Sequence, residues 1–389
     1  MEKFDVVIVG AGLTGSIIAR YFAEERNKKV LILEKRNHIA GNLYDYFENG
    51  LYRQEYGPHI FHTNFDNVKE YILRFSKWND FKLECNVFMN DKLTASPFNF
   101  STIDLFYDDN NGKNLKLALK AEFPNQSSVP VLQLLNSTNQ LVKDYAEFLF
   151  ENDYRPYTAK QWGIQPEEID PSVLARVPVY LDYNKNYFND RYQFMPEEGF
   201  TNFISNILNH NNITLKLNVD ANKILEKKYD RIEISNQVPD YVIYTGPIDS
   251  FFDYEFGKLP YRSLRFEYKK LNIPSFQPVP VVAYPQEKGF TRITEFGKLI
   301  KCKSKEETII AYEYPLQFDN NSEFEPYYPI PNEQNSILYR KYSQLAGTYK
   351  NLNLCGRLGK YKYINMDVCI KEAIEFCLNL NEELSSLCV

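Results

Sequence analysis

Residues 4–15 read FDVVIVGAGLTG, and this stretch decides the fold. Phe4 to Val9 are apolar apart from Asp5, and such a run is typical of a strand buried on both faces. The glycines Gly10, Gly12 and Gly15 follow at once, and apolar residues at helical spacing come next. A second apolar run covers Lys29 to Leu33. The N-terminus therefore predicts a strand, a helix and a second strand in one βαβ unit.

The three glycines in this context predict a dinucleotide site. The first permits the turn, the second lets the backbone approach a pyrophosphate, and the third lets helix and strand pack closely. Glu34, 24 residues after Gly10, ends the second strand, where a carboxylate can accept hydrogen bonds from both ribose hydroxyls. These features suit NAD and FAD alike. A late apolar strand before Gly356-Arg357, together with Arg36 and Gly41-Asn42, favours FAD.

The composition is that of a folded protein with excess negative charge. The chain has 389 residues, of which 44% are apolar and 25% charged, and its formal net charge is −6. Domains average about 150 residues, so we expect two or three. The negative charge disfavours nucleic acid and anionic lipid as partners. No apolar run approaches the ~20 residues of a membrane span, and we expect a cytoplasmic protein.

Cysteines and histidines predict neither a disulfide framework nor a metal site. The six cysteines contain no CxxC pair, which suits free thiols. Two of the four histidines, His59 and His62, lie within one hexapeptide without further metal-ligand types at a suitable spacing. We therefore expect no bound metal.

The pattern along the chain predicts an α/β protein: a discontinuous Rossmann-like FAD-binding domain with an inserted helical domain and an antiparallel β-sheet domain. The FAD-binding domain is predicted from residues 1–75, 195–250 and 340–389. The mainly helical insertion is predicted at 76–185, and the sheet domain, which would bind substrate, at 186–194 and 251–339.

Several blocks of the sequence resemble, in the same order, signature blocks of the prokaryotic UDP-galactopyranose mutases. They span nearly the whole chain. The blocks are KRNHIAGN (35–42), YGPHIFHT (56–63), YTAKQWG (157–163), RVPV (176–179), NYFNDRYQ (186–193), YTGPID (244–249), YRSL (261–264), EYP (313–315) and GRL (356–358).

This resemblance implies an isomerase that interconverts UDP-galactopyranose and UDP-galactofuranose, supplying furanose for surface polysaccharide. It implies that reduced FAD attacks the anomeric carbon, with no net redox change. The sequence fits such a reaction, since it contains no HExxH, no GxSxG and no metal-ligand spacing. The resemblance also implies a homodimer.

The resemblance implies roles for the candidate substrate residues. Arg176 and Arg292 would hold the diphosphate, for which the planar guanidinium is well suited, and the loop Gln165 to Pro178 would close over the substrate. The tyrosines Tyr187, Tyr314 and Tyr363 would reach the diphosphate, and Asn365 the sugar. The uridine end would be received by Tyr157, Thr158 and Trp162.

The resemblance places a further set of residues at the flavin. His59 and His62 would position the isoalloxazine and stabilise its anionic reduced form. The full predicted cofactor set is Gly10, Gly12, Leu13, Thr14, Gly15, Glu34, Lys35, Arg36, Gly41, Asn42, His59, Ile60, Thr245, Gly356, Arg357, Asn365 and Met366.

Two positions depart from the family pattern, and alternative functions stay open. Ala40 replaces the first glycine of the common Gly-Gly-Asn, and Asn365 replaces a frequent aspartate, which puts the sugar contacts in doubt. UDP-N-acetylgalactosamine is an alternative substrate. An amine-oxidase-like flavin oxidoreductase is a second alternative, and a binding module resembling Rab escort factors is a third. The intact glycine turn and Glu34 argue against the last.

Overall fold

The computed structural model describes residues 3–48, 50–163, 177–300, 306–318, 324–330 and 332–386, excluding the side chains of Trp162 and of residues 381–386. The described strands are β1 (Val6–Val9), β2 (Val30–Leu33), β3 (Asp45–Glu48), β4 (Leu51–Gln54), β5 (Phe61–Thr63), β6 (Trp78–Asp80), β7 (Cys85–Met89), β8 (Lys92–Ser96), β9 (Ser128–Val129), β10 (Val179–Tyr180), β11 (Tyr192–Pro196), β12 (Ile213–Lys216), β13 (Leu225–Lys228), β14 (Arg231–Ile234), β15 (Tyr241–Tyr244), β16 (Tyr261–Leu271), β17 (Val281–Ala283), β18 (Arg292–Glu295), β19 (Thr308–Gln317), β20 (Tyr328–Pro329) and β21 (Leu352–Leu354).

The described helices alternate with these strands. They are α1 (Leu13–Glu24), α2 (Asp66–Leu73), α3 (Phe100–Phe106), α4 (Asp109–Glu122), α5 (Val131–Leu135), α6 (Gln140–Leu149), α7 (Arg155–Trp162), α8 (Phe200–Leu208), α9 (Ile248–Phe251), α10 (Glu333–Ala346), α11 (Gly356–Gly359) and α12 (Met366–Ser386). A single π-helical turn, Phe150–Tyr154, joins α6 to α7. Among the described helices, none combines the length and apolar character needed to cross a membrane.

Five parallel strands form the central sheet, in the order β12-β2-β1-β15-β21. Val6 on β1 lies opposite Val30 on β2 and opposite Tyr241 on β15, so the neighbouring strands end at the same edge. Ligands of open parallel sheets bind at the carboxyl ends of their strands. Gly10, Glu34 and Thr245, which directly follow β1, β2 and β15, therefore meet at one edge. The predicted α/β class is confirmed.

Both faces of this sheet are buried, which explains its continuous apolar strands. Val6 and Ile8 point into one core cluster, together with α1 and α8. Val7 points into a second cluster, together with Val242 and Tyr244 of β15. A strand with one polar face could not pack against a hydrophobic core on both sides of the sheet.

A seven-stranded, mostly antiparallel sheet lies beside the central one, in the order β20-β16-β19-β18-β17-β7-β8. It contains most strands between 261 and 329, as the sequence predicts, but it also contains β7 and β8. The sequence analysis placed these two strands in the helical insertion. The observed location differs from this prediction because β7 pairs with β17, about 200 residues later, and such long-range pairing leaves no local signal in the sequence. Residues 192–194 were placed in this sheet but pair instead with β5 and β6.

The helices α3 to α7 surround a third core of their own. Phe98, Leu119, Val142 and Leu149 are among its buried members. Val87 of β7 also belongs to this core, which joins it to the edge of the seven-stranded sheet. The exact domain boundaries stay a proposal.

Gly15 provides a test of how tightly α1 packs on β1. A Cβ atom at Gly15 would lie 2.1 Å from the carbonyl oxygen of Gly10, so Gly15→Ala must displace the turn. We expect this overpacking to cost about 1–3 kcal/mol and to lower both the melting temperature and the flavin content of the purified protein. Gly347→Ala is the matched control, because its φ of −64° suits alanine and its nearest contact is 3.4 Å away. Equal melting temperatures for Gly15→Ala and the parent would contradict the packing argument.

Candidate functional site

The glycine turn after β1 forms a narrow backbone cradle. Gly10 has φ of +102°, and a Cβ there would lie 2.3 Å from Oγ1 of Thr245. That hydroxyl donates to the carbonyl of Val9 at 2.6 Å and so fixes β15 to the turn. A Cβ at Gly41 would lie 3.1 Å from the Cα of Gly12, so the two backbones touch. The missing side chains keep open the space that a pyrophosphate requires.

Glu34 is buried and held by the backbone at this edge of the sheet. Its Oε2 accepts from the N–H of Ala11 at 2.8 Å, and its Oε1 accepts from the N–H of Arg36 at 2.9 Å. Each carboxylate oxygen retains a second lone pair, so the fixed group can still accept from a diol. The geometry thus suits the ribose contact that the sequence predicts.

Arg36 carries a buried donor that the protein leaves unpaired. Its Nη2 donates to Asn42 at 3.0 Å and lies 3.1 Å from Glu325, and its guanidinium stacks over Tyr56. Within the described residues, its Nη1 has no hydrogen-bond partner. Lys35 also pairs with Glu325, at 2.9 Å, but is half-exposed. An orphaned guanidinium donor beside an open glycine cradle fits a bound dinucleotide such as FAD.

Late residues of the chain lie against this region. Gly356 lies against Thr14, since a Cβ there would be 3.3 Å from the threonine Oγ1. Arg357 donates to the carbonyl of Ile364 at 2.7 Å. Leu13 and Met366 both pack against the first core cluster. Asn365, which precedes α12, is exposed.

His59 lies in the turn before β5, next to the buried Ile60. Its Nδ1 contacts the carbonyl of Gly57 at 2.9 Å, which identifies Nδ1 as the donor. Burial, assisted by the positive charges of Arg357 and Arg292, lowers the pKa of His59 to about 4. The imidazole is therefore neutral at pH 7, with Nε2 as an acceptor.

His62 has different surroundings on β5. Its Nδ1 lies 2.9 Å from Oδ2 of Asp190, and its ring stacks on Phe188 with centroids 3.8 Å apart. A carboxylate partner fixes the tautomer and orientation of an imidazole. Within the described residues, no group of three or more His, Cys, Asp and Glu side chains could hold a metal.

Arg292 is the centre of a buried polar cluster. Its Nε and Nη2 each lie 2.7 Å from Oε2 of Glu313, which faces it directly across β18 and β19. Although burial favours the neutral form, Glu313 raises the pKa of Arg292 well above its usual value, and Tyr157 and Tyr328 add to this effect. The guanidinium is thus permanently charged and fixed in orientation.

Tyr328 is a member of this cluster that the sequence analysis missed. Its ring centroid lies 5.1 Å from that of Tyr363, and Arg357 stacks over both rings. Burial raises the pKa of Tyr328, so it stays a neutral donor. The run Glu-Pro-Tyr-Tyr-Pro at 325–329 could have drawn attention to it, although sequence alone does not place it beside Arg292.

Tyr314, which the sequence favoured, lies elsewhere. It is adjacent to Glu313 on β19, so its side chain points to the opposite face of the sheet. There its hydroxyl donates to Glu267 at 3.2 Å and Arg265 stacks over its ring at 4.0 Å. The structure does not bring Tyr314 to Arg292.

The remaining predicted substrate residues lie on or near α7. Burial raises the pKa of Tyr157, which also lies close enough to Arg292 and Tyr187 to interact electrostatically. Thr158 is buried beside it. Trp162 ends α7, but its side chain lies outside the described residues, as does all of Arg176.

Comparisons with known proteins identify relatives that span nearly the whole chain. The family model for UDP-galactopyranose mutase matches residues 152–363, and that for an NAD(P)-binding Rossmann-like domain matches residues 8–75. A UDP-galactopyranose mutase of Mycoplasma pneumoniae is 35% identical over 96% of this chain and 95% of its own length. A dTDP-fucopyranose mutase of Escherichia coli is 34% identical, over 95% of this chain and 96% of its own.

A solved structure shares the fold as well. A reduced UDP-galactopyranose mutase has a TM-score of 0.70 at 16% identity, covering 98% of this chain and 94% of that one. These matches, with the dinucleotide-binding domain, support FAD as the cofactor. The chain belongs to the UDP-galactopyranose mutase family and is an isomerase.

Proposed function

We propose that this protein interconverts UDP-galactopyranose and UDP-galactofuranose, and that it uses reduced FAD to do so. The observation that carries the proposal is the polar cluster of Arg292, Arg357, Tyr328 and Tyr363. Arg357 of this cluster directly follows Gly356, which lies against Thr14 at the cradle that fits the cofactor. The charges of Arg357 and Arg292 also act on His59. A diphosphate needs fixed positive charge and neutral donors, and the cluster supplies both.

Glu313 fixes the orientation of Arg292 within the cluster. Because its Oε2 engages two nitrogens of Arg292, the guanidinium cannot turn away from the site. One carboxylate reduces the net charge, but Arg357 adds another cation, so a dianion still finds positive potential. In our proposal Arg176 is the second arginine that holds the departing and returning UDP, although it lies outside the described residues.

Reduced FAD supplies the nucleophile for the anomeric carbon when it is bound. The chain's own residues hold the nucleotide sugar and keep water away. His59 is neutral, so it contributes a hydrogen-bond acceptor at Nε2 rather than a positive charge. We therefore assign it to orienting the cofactor and not to balancing an anion, which differs from the role implied by the resemblance.

Three nucleotide sugars are candidate substrates, and they differ in the nucleotide or in the sugar. The Escherichia coli relative is named for dTDP-fucopyranose, which makes that substrate a second candidate. UDP-N-acetylgalactosamine also remains, because Asn365 can both donate and accept at a sugar hydroxyl or amide. The furanose product would serve surface polysaccharide, and a cytoplasmic homodimer remains part of the proposal.

We expect the dithionite-reduced protein to convert UDP-galactopyranose, and the air-oxidised protein to convert none of it. Only reduced flavin has the available lone pair, and the reductant should not be consumed at each turnover. Chromatographic separation of products from UDP-galactose, UDP-N-acetylgalactosamine and dTDP-fucose would identify the substrate. Full activity of the oxidised protein would contradict this mechanism and favour the alternative function of a flavin oxidoreductase.

We expect Tyr328→Phe and Arg292→Lys each to lower kcat/KM at least about tenfold while FAD stays bound, because each removes a directed contact to the diphosphate. Lysine keeps the charge at 292 but loses the planar fork. Tyr314→Phe and Arg265→Lys are matched controls on the opposite face of the same sheet, and should stay within about twofold of the parent. A larger loss of kcat/KM in Tyr314→Phe than in Tyr328→Phe would place the diphosphate on the other face of the sheet.

Glu34→Gln should weaken FAD binding at least about tenfold. The glutamine amide can accept only one of the backbone N–H groups of Ala11 and Arg36, and it lacks the negative charge that strengthens a ribose contact. Flavin occupancy after dialysis measures the effect. Glu24→Gln, at the surface of α1, is the control. Parent-like FAD affinity in Glu34→Gln would show that the carboxylate has only a structural role.

A further inference from the structure

Asp153 is a buried carboxylic acid for which the described residues provide no partner. It lies in the π-helical turn between α6 and α7 and is 9% exposed. Within the described part of the chain, no hydrogen bond or ion pair reaches its carboxyl group, and it is not completely sealed from solvent. Burial of an unpaired carboxylate costs free energy, and single π-helical turns are frequent at functional sites.

The neighbouring groups that could pair with Asp153 are already engaged. Lys160, two turns further on, places its Nζ 2.6–2.8 Å from the carbonyl oxygens of Tyr284, Glu287 and Phe290. The hydroxyl of Tyr154 donates to the carbonyl of Val177 at 2.7 Å. All three ammonium protons and this phenol are thus used elsewhere. Within the described residues, the carboxyl group therefore keeps its acceptor sites free for water or for a ligand that replaces it.

The order of groups along the site indicates which part of a ligand reaches Asp153. The charges of Arg357 and Arg292 act on His59, and that of Arg292 acts on Tyr157. Asp153 acts in turn on Tyr157, one helical turn away on the same face. The sugar must lie at the cofactor and the diphosphate at the arginines. The nucleoside then extends past Tyr157 toward Asp153.

We propose that the Asp153 carboxylate accepts a hydrogen bond from the nucleoside of the substrate and so helps to select it. This inference rests on the proposed function, since it takes a nucleotide sugar as the ligand. The donor is either the imide N–H of the pyrimidine or a ribose hydroxyl of the substrate's nucleoside.

The proposal makes binding depend on pH with a defined sign. Burial raises the pKa of Asp153 to about 7, and Lys160 opposes this shift. A donor that pairs with the ionised form must lower this pKa, so substrate should bind more weakly as the pH falls below 7. The other groups that face this region are Lys160, Tyr154 and Tyr157 on the same helix, Glu287 beside Lys160, and Tyr187, Arg292 and Glu313 beside Tyr157.

The experiment measures the Kd of UDP-galactose for the oxidised holoenzyme by calorimetry between pH 5.5 and 7.5. The diphosphate diester does not titrate there, and without reduction no turnover interferes. We compare the parent with Asp153→Asn and with the control Glu151→Gln, an exposed residue on the same π-helical turn. At pH 7.5 we expect Asp153→Asn to bind at least about tenfold more weakly. The parent and control should lose about twentyfold in affinity by pH 5.5, and Asp153→Asn should lose much less.

Analogues identify the donor. N3-methyluridine and 2′-deoxyuridine diphosphogalactose each lack one candidate, and one of them should lose affinity for the parent but not for Asp153→Asn. Parent-like binding of both analogues, equal pH dependence in the parent and Asp153→Asn, or tighter binding at low pH would each overturn the proposal. Failure of the parent to bind UDP-galactose at any pH would instead overturn the proposed function, and this inference with it.

Thermal unfolding shows whether the variant folds. The folded pKa of Asp153 lies above its unfolded value, so its contribution to stability is present at low pH and is lost as the pH rises through about 7. Asp153→Asn should therefore melt at a higher temperature than the parent at pH 7.5, and this difference should shrink toward pH 4. A lower melting temperature at pH 7.5 would show that the ionised carboxylate stabilises the free protein, which contradicts its lack of a partner.

Discussion

The contact between Gly15 and the Gly10 carbonyl is the constraint on which the rest of the site depends. Only a residue without Cβ lets α1 approach β1 so closely. That approach sets the start of α1 against the turn, where the buried Glu34 accepts from Ala11, and it brings Gly41 against Gly12. The cradle for the cofactor is thus a consequence of backbone packing, and its polar groups could not converge if α1 stood farther from the sheet.

Buried and partly buried carboxylates orient the cations of the site. Glu325 holds Arg36 beside the cradle, and Glu313 holds Arg292 in the polar cluster. Each pair costs desolvation, which its mutual attraction offsets only when the geometry is good. The arrangement explains how a chain with a net charge of −6 can bind a dianion: the potential at the site is set by a few fixed guanidinium groups, while the excess negative charge is elsewhere.

The sequence predicts those features that depend on local order. Val6–Val9, the glycine turn and Glu34 are contiguous or separated by a single helix, so periodicity alone places them together. Tyr314 and Tyr328 show the limit, because both are tyrosines near Glu313 along the chain, and only strand alternation and the return of β20 against β16 decide which faces Arg292. The neutral state of His59 also needed the structure, since it follows from burial and from arginines more than 200 residues away.

The unsatisfied groups of the protein have an uneven distribution that links stability to binding. Among the described residues, some buried polar atoms without partners lie away from the cluster, as at Tyr145 and Thr308. Others belong to the site: Nη1 of Arg36 lies beside the cofactor cradle and Oε1 of Glu313 beside Arg292. The carboxyl group of Asp153 is buried and has no protein partner within the described residues. Ala40, beside Gly41, adds backbone strain with its φ of +74°. Each such feature lowers the stability of the free protein, and each polar atom among them can be satisfied by a ligand. Ligands that complete these contacts bind only the folded chain and therefore stabilise it by mass action.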